Sequence, residues 1–352
     1  MAVAPFFIVH SSPPVNPMFT WPNRISLANL PTPITALPRF SARFGDVTIR
    51  VKRDELTGLE VSGNKVRKLE FCIAQALDDG CDTLITCGGL QSNHCRATAI
   101  LGVRLGLKVH LILRGEPEAD RDGNLLLDYL SGASISYLPQ RDWHTHPALA
   151  QQLQEQYRSQ GRRAAFFPVG ASDEIGLWGY VAACAELRED FIRLGWQPDL
   201  IVTATGSGGT QSGLIAGTAL LDMPSRVAAF AVCDDAAWFE AKVRQDLALW
   251  QQRYAIPLEV ADLPVLTLDE YVGPGYGKAG PEVFATIAEL ARTEGLFLDP
   301  VYTGKAFHGM VAELEKAASG RPSPLAGVRD VLFIHTGGLF GLFPQRHQFE
   351  FP

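Results

Sequence analysis

Thr83-Leu84-Ile85-Thr86-Cys87-Gly88-Gly89 runs directly into Leu90-Gln91-Ser92-Asn93-His94, and this stretch decides the fold. The run from Thr83 to Cys87, broken by two glycines, predicts a strand buried on both faces. From 93 to 105 the apolar positions recur at helical spacing, and Gly106 stands just past the end as a C-cap. A buried strand that passes at once into an amphipathic helix is the repeating unit of a parallel sheet. The alternation continues on both sides. Strands are predicted at 47–52, 109–113, 134–138, 164–167, 200–204, 227–233 and 331–335. Helices are predicted at 39–44, from Lys65 through 77, and at 123–130, 147–160, 175–194, 210–221, 236–254, 281–294 and 304–319. Residues 30–34 read as a proline-bounded turn and 272–280 as a Gly/Pro-rich segment. The fold class is therefore α/β, with two open twisted, mainly parallel sheet lobes and helices on both faces. The chain crosses between them near Lys68 and again near Ser172, so 1–67 with 173–352 form the large lobe and 68–172 the small one.

At 352 residues the chain exceeds the size at which single cores stop growing, about 250–300 residues, so two lobes are expected. Its 47% hydrophobic and 20% charged composition is that of a globular enzyme. A net charge of -7 argues against nucleic acid or an anionic membrane as partner, and no apolar run reaches spanning length. The six cysteines show no CxxC pair and fall mostly in apolar patterns, which predicts reduced, buried thiols and a cytoplasmic setting. The first 29 residues hold five prolines and only a four-residue apolar run, unlike a secretory signal. The chain has no acidic residue before Asp46, so organelle import stays open; otherwise the stretch reads as an arm over the lobe or over a dimer partner.

Four loops at predicted strand ends carry chemistry-bearing residues, where open α/β sheets bind ligands. Lys65 opens a helix after Gly63 and Asn64, a position where the helix dipole disfavours a cation and burial would lower its pKa. It is a candidate amine nucleophile for a carbonyl, although Lys65, Arg67 and Lys68 equally describe a solvated helix face. Thr205-Gly206-Ser207-Gly208-Gly209-Thr210 joins a hydrophobic strand to a helix and reads as a phosphate cradle of converging amides, with a glycine-rich turn that holds no ligand as the alternative. It has neither the Walker nor the dinucleotide spacing. The loop from Gly88 to His94 offers a helix start, Ser92 and Asn93 to a carboxylate or phenolate; each residue alone reads equally as a cap. Tyr276 and Tyr302 sit on turns, and His335-Thr336 ends the last strand. A lysine, a phosphate cradle and a carboxylate loop together describe the needs of a phosphate-bearing aldehyde, and pyridoxal phosphate is that cofactor. No metal site is expected.

The stretches GNKVRKLE, LITCGGLQSNH, GNLLLD, PVGASDEIGLWGY, TGSGGTQSG, GPGYG, DPVYTGKAFHGM and FIHTGG resemble, in this order, the D-cysteine desulfhydrase and 1-aminocyclopropane-1-carboxylate (ACC) deaminase family. The resemblance spans about residues 30–340 and implies a fold type II, tryptophan-synthase-β-like pyridoxal phosphate enzyme. It implies that Lys65 holds the cofactor covalently, that Asn93 bonds its phenolic oxygen and that Thr205 to Thr210 hold its phosphate. It places Ser92, Asn93 and His94 around the substrate carboxylate and Tyr276 and Tyr302 in the substrate pocket, with Lys65, Ser92, Tyr276 and Tyr302 as catalytic residues. Thr303 and Thr336 stand where ACC deaminases carry Glu and Leu, as in the D-cysteine desulfhydrase branch. A hydroxyl beside the ring nitrogen makes a weaker electron sink, which suits loss of a good leaving group. The implied reaction is β-elimination of D-cysteine to hydrogen sulfide, pyruvate and ammonia, by a homodimer. ACC deamination to 2-oxobutyrate and ammonia, cleavage of L-cysteate or another β-substituted amino acid, and a cofactor-binding protein without catalysis are the alternatives. Ser62 and Ala171 replace family glycines, a minor addition of bulk, and Leu339-Phe340-Gly341 is expected to enlarge a cofactor-side wall.

Overall fold

Ten strands and ten α-helices alternate over residues 19–350, the part of the chain that the computed structural model describes. The chain forms β1 (Ile34–Ala36), α1 (Pro38–Ser41) and β2 (Thr48–Lys52), then enters α2 (Lys65–Asp78). Next come β3 (Thr83–Gly89), α3 (Asn93–Arg104), β4 (Lys108–Arg114), α4 (Gly123–Leu130), β5 (Ser134–Leu138), α5 (His146–Ser159) and β6 (Ala164–Phe167). The chain continues through α6 (Trp178–Leu194), β7 (Leu200–Thr205), α7 (Gly209–Leu220), β8 (Arg226–Ala231) and α8 (Ala236–Tyr254). It ends with β9 (Leu266–Leu268), α9 (Pro281–Glu294), α10 (Thr303–Ala318) and β10 (Asp330–Ile334).

The strands build two sheets. The larger has the order β1-β2-β10-β7-β8-β9 and the smaller β5-β4-β3-β6. Every pairing is parallel except β1 with β2, where Ile34 faces Lys52 across an antiparallel edge. All six residues of β7 are buried, as a central strand covered on both faces requires. One face of the larger sheet packs with Phe40, Ile287 and Phe307 from α1, α9 and α10; the other packs with Trp178, Leu214 and Trp250 from α6, α7 and α8. Leu69, Leu101 and Leu125 cover one side of the smaller sheet, and Leu153 with Tyr157 covers the other. In both sheets the chain order reverses between neighbouring parallel strands, β7 beside β10 and β3 beside β6, and in open α/β sheets ligands bind at the carboxyl ends by such a reversal.

The differences from the sequence reading have local causes. α6 begins at Trp178 rather than 175 because the Asp173 carboxylate accepts the amides of Ile175 and Gly176, at 3.2 and 2.7 Å, and holds a turn there. β1 and β9 were not expected; each is three residues long and lies at a sheet edge. The six cysteines are free thiols, four of them buried. Of the N-terminal stretch, residues 1–18 lie outside the described residues. Beyond them the chain lies against α2, where the Glu70 carboxylate accepts the amides of Leu27 and Ala28 at 2.8 and 3.0 Å.

Behind α2 lies a buried charge network. Arg67 donates to Asp54 at 2.7 Å and to Glu186 at 3.0 Å, Lys52 reaches Glu186 and Asp190 at 2.6 Å each, and Tyr180 donates to Asp54 at 2.7 Å. Burial opposes charge on Arg67, and the two carboxylates outweigh it, so its pKa stands well above the usual value.

Candidate active site

The carboxyl ends of both sheets open onto one cavity of about 510 Å³. α2 starts at its wall. Asn64 precedes the helix but does not cap it; its Nδ2 instead donates to Thr210 Oγ1 at 2.9 Å, tying the start of α2 to the start of α7. Gly63 adopts φ +110, and a Cβ there would lie 2.6 Å from the Thr336 carbonyl, so only glycine lets the loop after β10 approach. The half-buried Lys65 thereby opens onto the cavity, and desolvation brings its ammonium pKa down to about 8.

The loop after β7 forms the next wall, with Thr205, Gly206, Ser207, Gly208 and Thr210 exposed to the cavity. Gly209 is not; its amide donates to Ser172 Oγ at 3.2 Å, and Ser172 and Ser207 share a hydrogen bond of 2.7 Å. Lys68 lies one helical turn after Lys65, fully buried, with only neutral partners, the Gly170 carbonyl at 3.2 Å and Ser172 Oγ at 3.3 Å. Burial, and after it the charge of Lys65, pushes its pKa well below the usual lysine range. A Cβ at Gly209 would sit 2.7 Å from Lys68 Nζ, so the ammonium rests directly against the loop. The Thr205 hydroxyl is buried without a partner. A buried amine hydrogen-bonded only to neutral groups, an unpaired hydroxyl and glycine amides at a helix start are the donor set of a phosphate site. With an amine beside them, these residues fit pyridoxal phosphate.

The loop after β3 supplies the third wall. Ser92 Oγ caps α3 by accepting the Cys95 amide at 3.2 Å, which leaves its proton to donate. Asn124 Nδ2 donates to Asn93 Oδ1 at 3.0 Å, so the Asn93 amide presents its NH₂ as the remaining donor. His94 lines the cavity, but its chemistry differs from the expectation. Thr86 Oγ1 donates to the Phe167 carbonyl at 3.0 Å and so receives the proton of His94 Nε2 at 2.8 Å. His94 Nδ1 is then a buried lone pair without a partner, and desolvation holds the ring's pKa well below the usual value. A neutral acceptor cannot donate to a substrate carboxylate.

Tyr276 and Tyr302 close the cavity, their hydroxyls 2.5 Å apart, and burial raises both phenol pKa values, so both stay protonated. Thr336 is on the wall; Thr303 is behind it. The Thr303 hydroxyl donates to Asp299 Oδ1 at 2.7 Å and accepts the Asp299 amide at 2.9 Å, inside the turn that starts α10. Leu339 and Phe340 do not enlarge the wall: Leu339 is exposed, and Phe340 lies against the Arg96 guanidinium at 4.9 Å, outside the cavity.

Sequence reasoning passed over several residues that shape this site. Asn124 and Lys305 were inside quoted motifs without a role. Lys305 Nζ donates to the carbonyls of Val272 and Gly275 at 2.7 and 2.8 Å and pins the turn that carries Tyr276. Lys68 was visible only as part of a basic triplet, and Arg114, Trp143 and His146 on the cavity's outer wall carried no signal at all. Among the described residues there is no group of three or more metal-ligating side chains, and no helix is long and apolar enough to cross a membrane.

Two α/β lobes enclosing a lysine and an anion loop define a pyridoxal phosphate enzyme of the tryptophan-synthase-β type. Residues 25–337 match the family described as pyridoxal-phosphate dependent enzymes, and the chain belongs to it. It is 40% identical over 337 residues to a mitochondrial bifunctional D-cysteine desulfhydrase/ACC deaminase of Arabidopsis thaliana, covering 92% of this chain and 80% of that one. It is 37% identical over 331 residues to a D-cysteine desulfhydrase of Klebsiella pneumoniae, covering 91% and 95%. A solved ACC deaminase homologue superposes with a TM-score of 0.82 at 34% identity, over 92% of this chain and 94% of that chain.

Proposed function

We propose that the protein is a carbon–sulfur lyase that eliminates the β-substituent of a small amino acid, converting D-cysteine to hydrogen sulfide, pyruvate and ammonia. The observation that carries this reading is the meeting, on one cavity, of a lysine whose pKa is lowered to about 8 and an anion loop backed by the buried Lys68. Pyridoxal phosphate, when bound, supplies the electron sink that makes the substrate's Cα–H acidic. Lys65 Nζ, partly uncharged near neutral pH, would serve as the amine for the carbonyl and as the base for the Cα proton. Thr205 to Thr210 with Lys68 would hold the phosphate, and Asn93, oriented by Asn124, would donate to the phenolic oxygen. Ser92 and the first amides of α3 receive the substrate carboxylate. The Tyr276 and Tyr302 hydroxyls stand over the reacting side chain. Threonines stand at 303 and 336, so neither position offers a carboxylic acid that would protonate a ring nitrogen, which favours thiol elimination over opening of a cyclopropane.

A panel of D- and L-cysteine, L-cysteate and ACC, followed by cofactor absorbance and by release of sulfide, sulfite, pyruvate or 2-oxobutyrate, tests the reading. Lys65→Ala should bind the cofactor's phosphate end and turn nothing over; wild-type rates in that variant would remove the mechanism. ACC deamination is the second reading, favoured by the Arabidopsis relative's double name. The same reading takes 1–67 with 173–352 as the cofactor domain and 68–172 as the small domain, joined in a homodimer. It places the enzyme in the cytoplasm, with an organelle as the alternative that the mitochondrial relative raises.

A further inference from the structure

We propose that Arg114 forms the leaving-group end of the substrate site and takes a β-substituent whose sulfur is anionic, a thiolate as it departs or a sulfonate already charged in the bound amino acid. This rests on the β-elimination above and adds the chemistry of the side chain. Arg114 ends β4 in register with Gly89 of β3, one strand spacing of about 4.8 Å from the loop that receives the α-carboxylate. It is half-buried on the cavity wall, with its guanidinium 4.8 Å from the centre of the Tyr276 ring and 5.3 Å from that of Trp143. Among the described residues it has no hydrogen bond and no ion pair, in contrast to Arg67, which is spent on two carboxylates. The other cations of the wall are committed: Lys65 to the carbonyl, and Lys242 to Asp246. Arg114 is therefore a cation beside the substrate with its planar fork of donors unspent, and that fork matches the oxygens of a sulfonate.

The step balances without an oxidant. The Cα proton passes to an enzyme base, the Cα–H electron pair becomes the Cα=Cβ bond, and the Cβ–S pair leaves with sulfur. Water then hydrolyses the aminoacrylate, so cysteate and one water give pyruvate, ammonium and hydrogen sulfite.

Calorimetry on the holoenzyme with two unreactive probes, 3-sulfopropanoate and 3-mercaptopropanoate, reads the charge preference directly. The wild type should bind the sulfonate roughly 10- to 100-fold more tightly, the size of one charge-assisted hydrogen bond. In Arg114→Gln the ratio should fall toward one, and Arg114→Lys should keep part of it. The ratio of kcat/KM for cysteate over cysteine of the same hand should fall in parallel. A wild-type ratio near one, or an Arg114→Gln variant that weakens both acids equally, overturns the inference and leaves Arg114 as a stacking residue. Sulfide release with a binding ratio near one overturns this inference alone; failure to take up pyridoxal phosphate or to turn over any amino acid overturns the β-elimination with it.

Discussion

Glu186→Gln tests the energetics of the network that holds α2 in place. The Glu186 carboxylate lies 2.6 Å from Lys52 Nζ and 3.0 Å from Arg67 Nη1, and it accepts the Thr32 amide at 2.9 Å. Burial alone would raise its pKa; the Arg67 and Lys52 charges overcome burial and hold it at about 2 against an ordinary 4.5. A depressed carboxylate contributes stability above its unfolded pKa and loses it as pH falls through the folded one. The gap from 4.5 to about 2 corresponds to about 3 kcal/mol at pH 7, at about 1.4 kcal/mol per pH unit. At pH 3 the unfolded carboxyl is already protonated, and the contribution shrinks to about 1 kcal/mol. Glutamine keeps the shape and an acceptor for Arg67, so the substitution removes charge rather than packing. Thermal and urea unfolding of both proteins should show the variant melting about 5 °C lower at pH 7 and about 2 °C lower at pH 3. A gap of equal size at both pH values, or one below about 0.5 kcal/mol at pH 7, would refute the claim that paired charge stabilises this helix.

Three further outcomes follow from single contacts. In cofactor-free protein, an amine reagent should modify Lys65 with a midpoint near pH 8, followed by peptide mapping; a midpoint near the usual value of about 10.4 would contradict its desolvation. Ala171 holds φ +46, a conformation costing an L-residue about 1–2 kcal/mol. The family glycine restored by Ala171→Gly regains that cost less about 0.5–1 kcal/mol of chain entropy, so calorimetry should find the variant from unchanged to about 1 kcal/mol more stable, and a loss would refute the strain. Asn124→Ala frees the Asn93 amide and should lower kcat/KM about tenfold, one hydrogen bond's worth, in a folded protein; unchanged kinetics would show that Asn93 is oriented by something else.

Long, strongly patterned segments were readable because burial on both sheet faces leaves hydrophobic runs such as β3 and β7, and helix starts such as Asp235 before α8 have local caps. β1 and β9 were not, since three residues cannot show a period and their partners lie far off in sequence. Lys65, the glycine loop and Asn93 lie at strand or helix ends, where position alone suggests chemistry. The substitution at Ala171 looked minor because a one-letter code does not carry a φ angle. Thr303 was read as facing a ligand, but a hydroxyl four residues after Asp299 is captured by that carboxylate, a competition only three dimensions reveal. The protonation pattern of His94 was hidden for a related reason: its tautomer is set by Thr86 and, through it, by the Phe167 carbonyl of another strand. Arg114 is one residue whose meaning depends on which strand lies next to β4.

The first turn of α2 performs three jobs with three adjacent cations, and a helix advances about 100° per residue. Lys65 and Lys68 therefore share one side, and Arg67 projects from the opposite one into the carboxylates. A single inserted or deleted residue at this point would swing the amine proposed for the carbonyl, the cation proposed for the phosphate and the structural anchor off target together. A substitution here perturbs one group, whereas a change of length displaces all three.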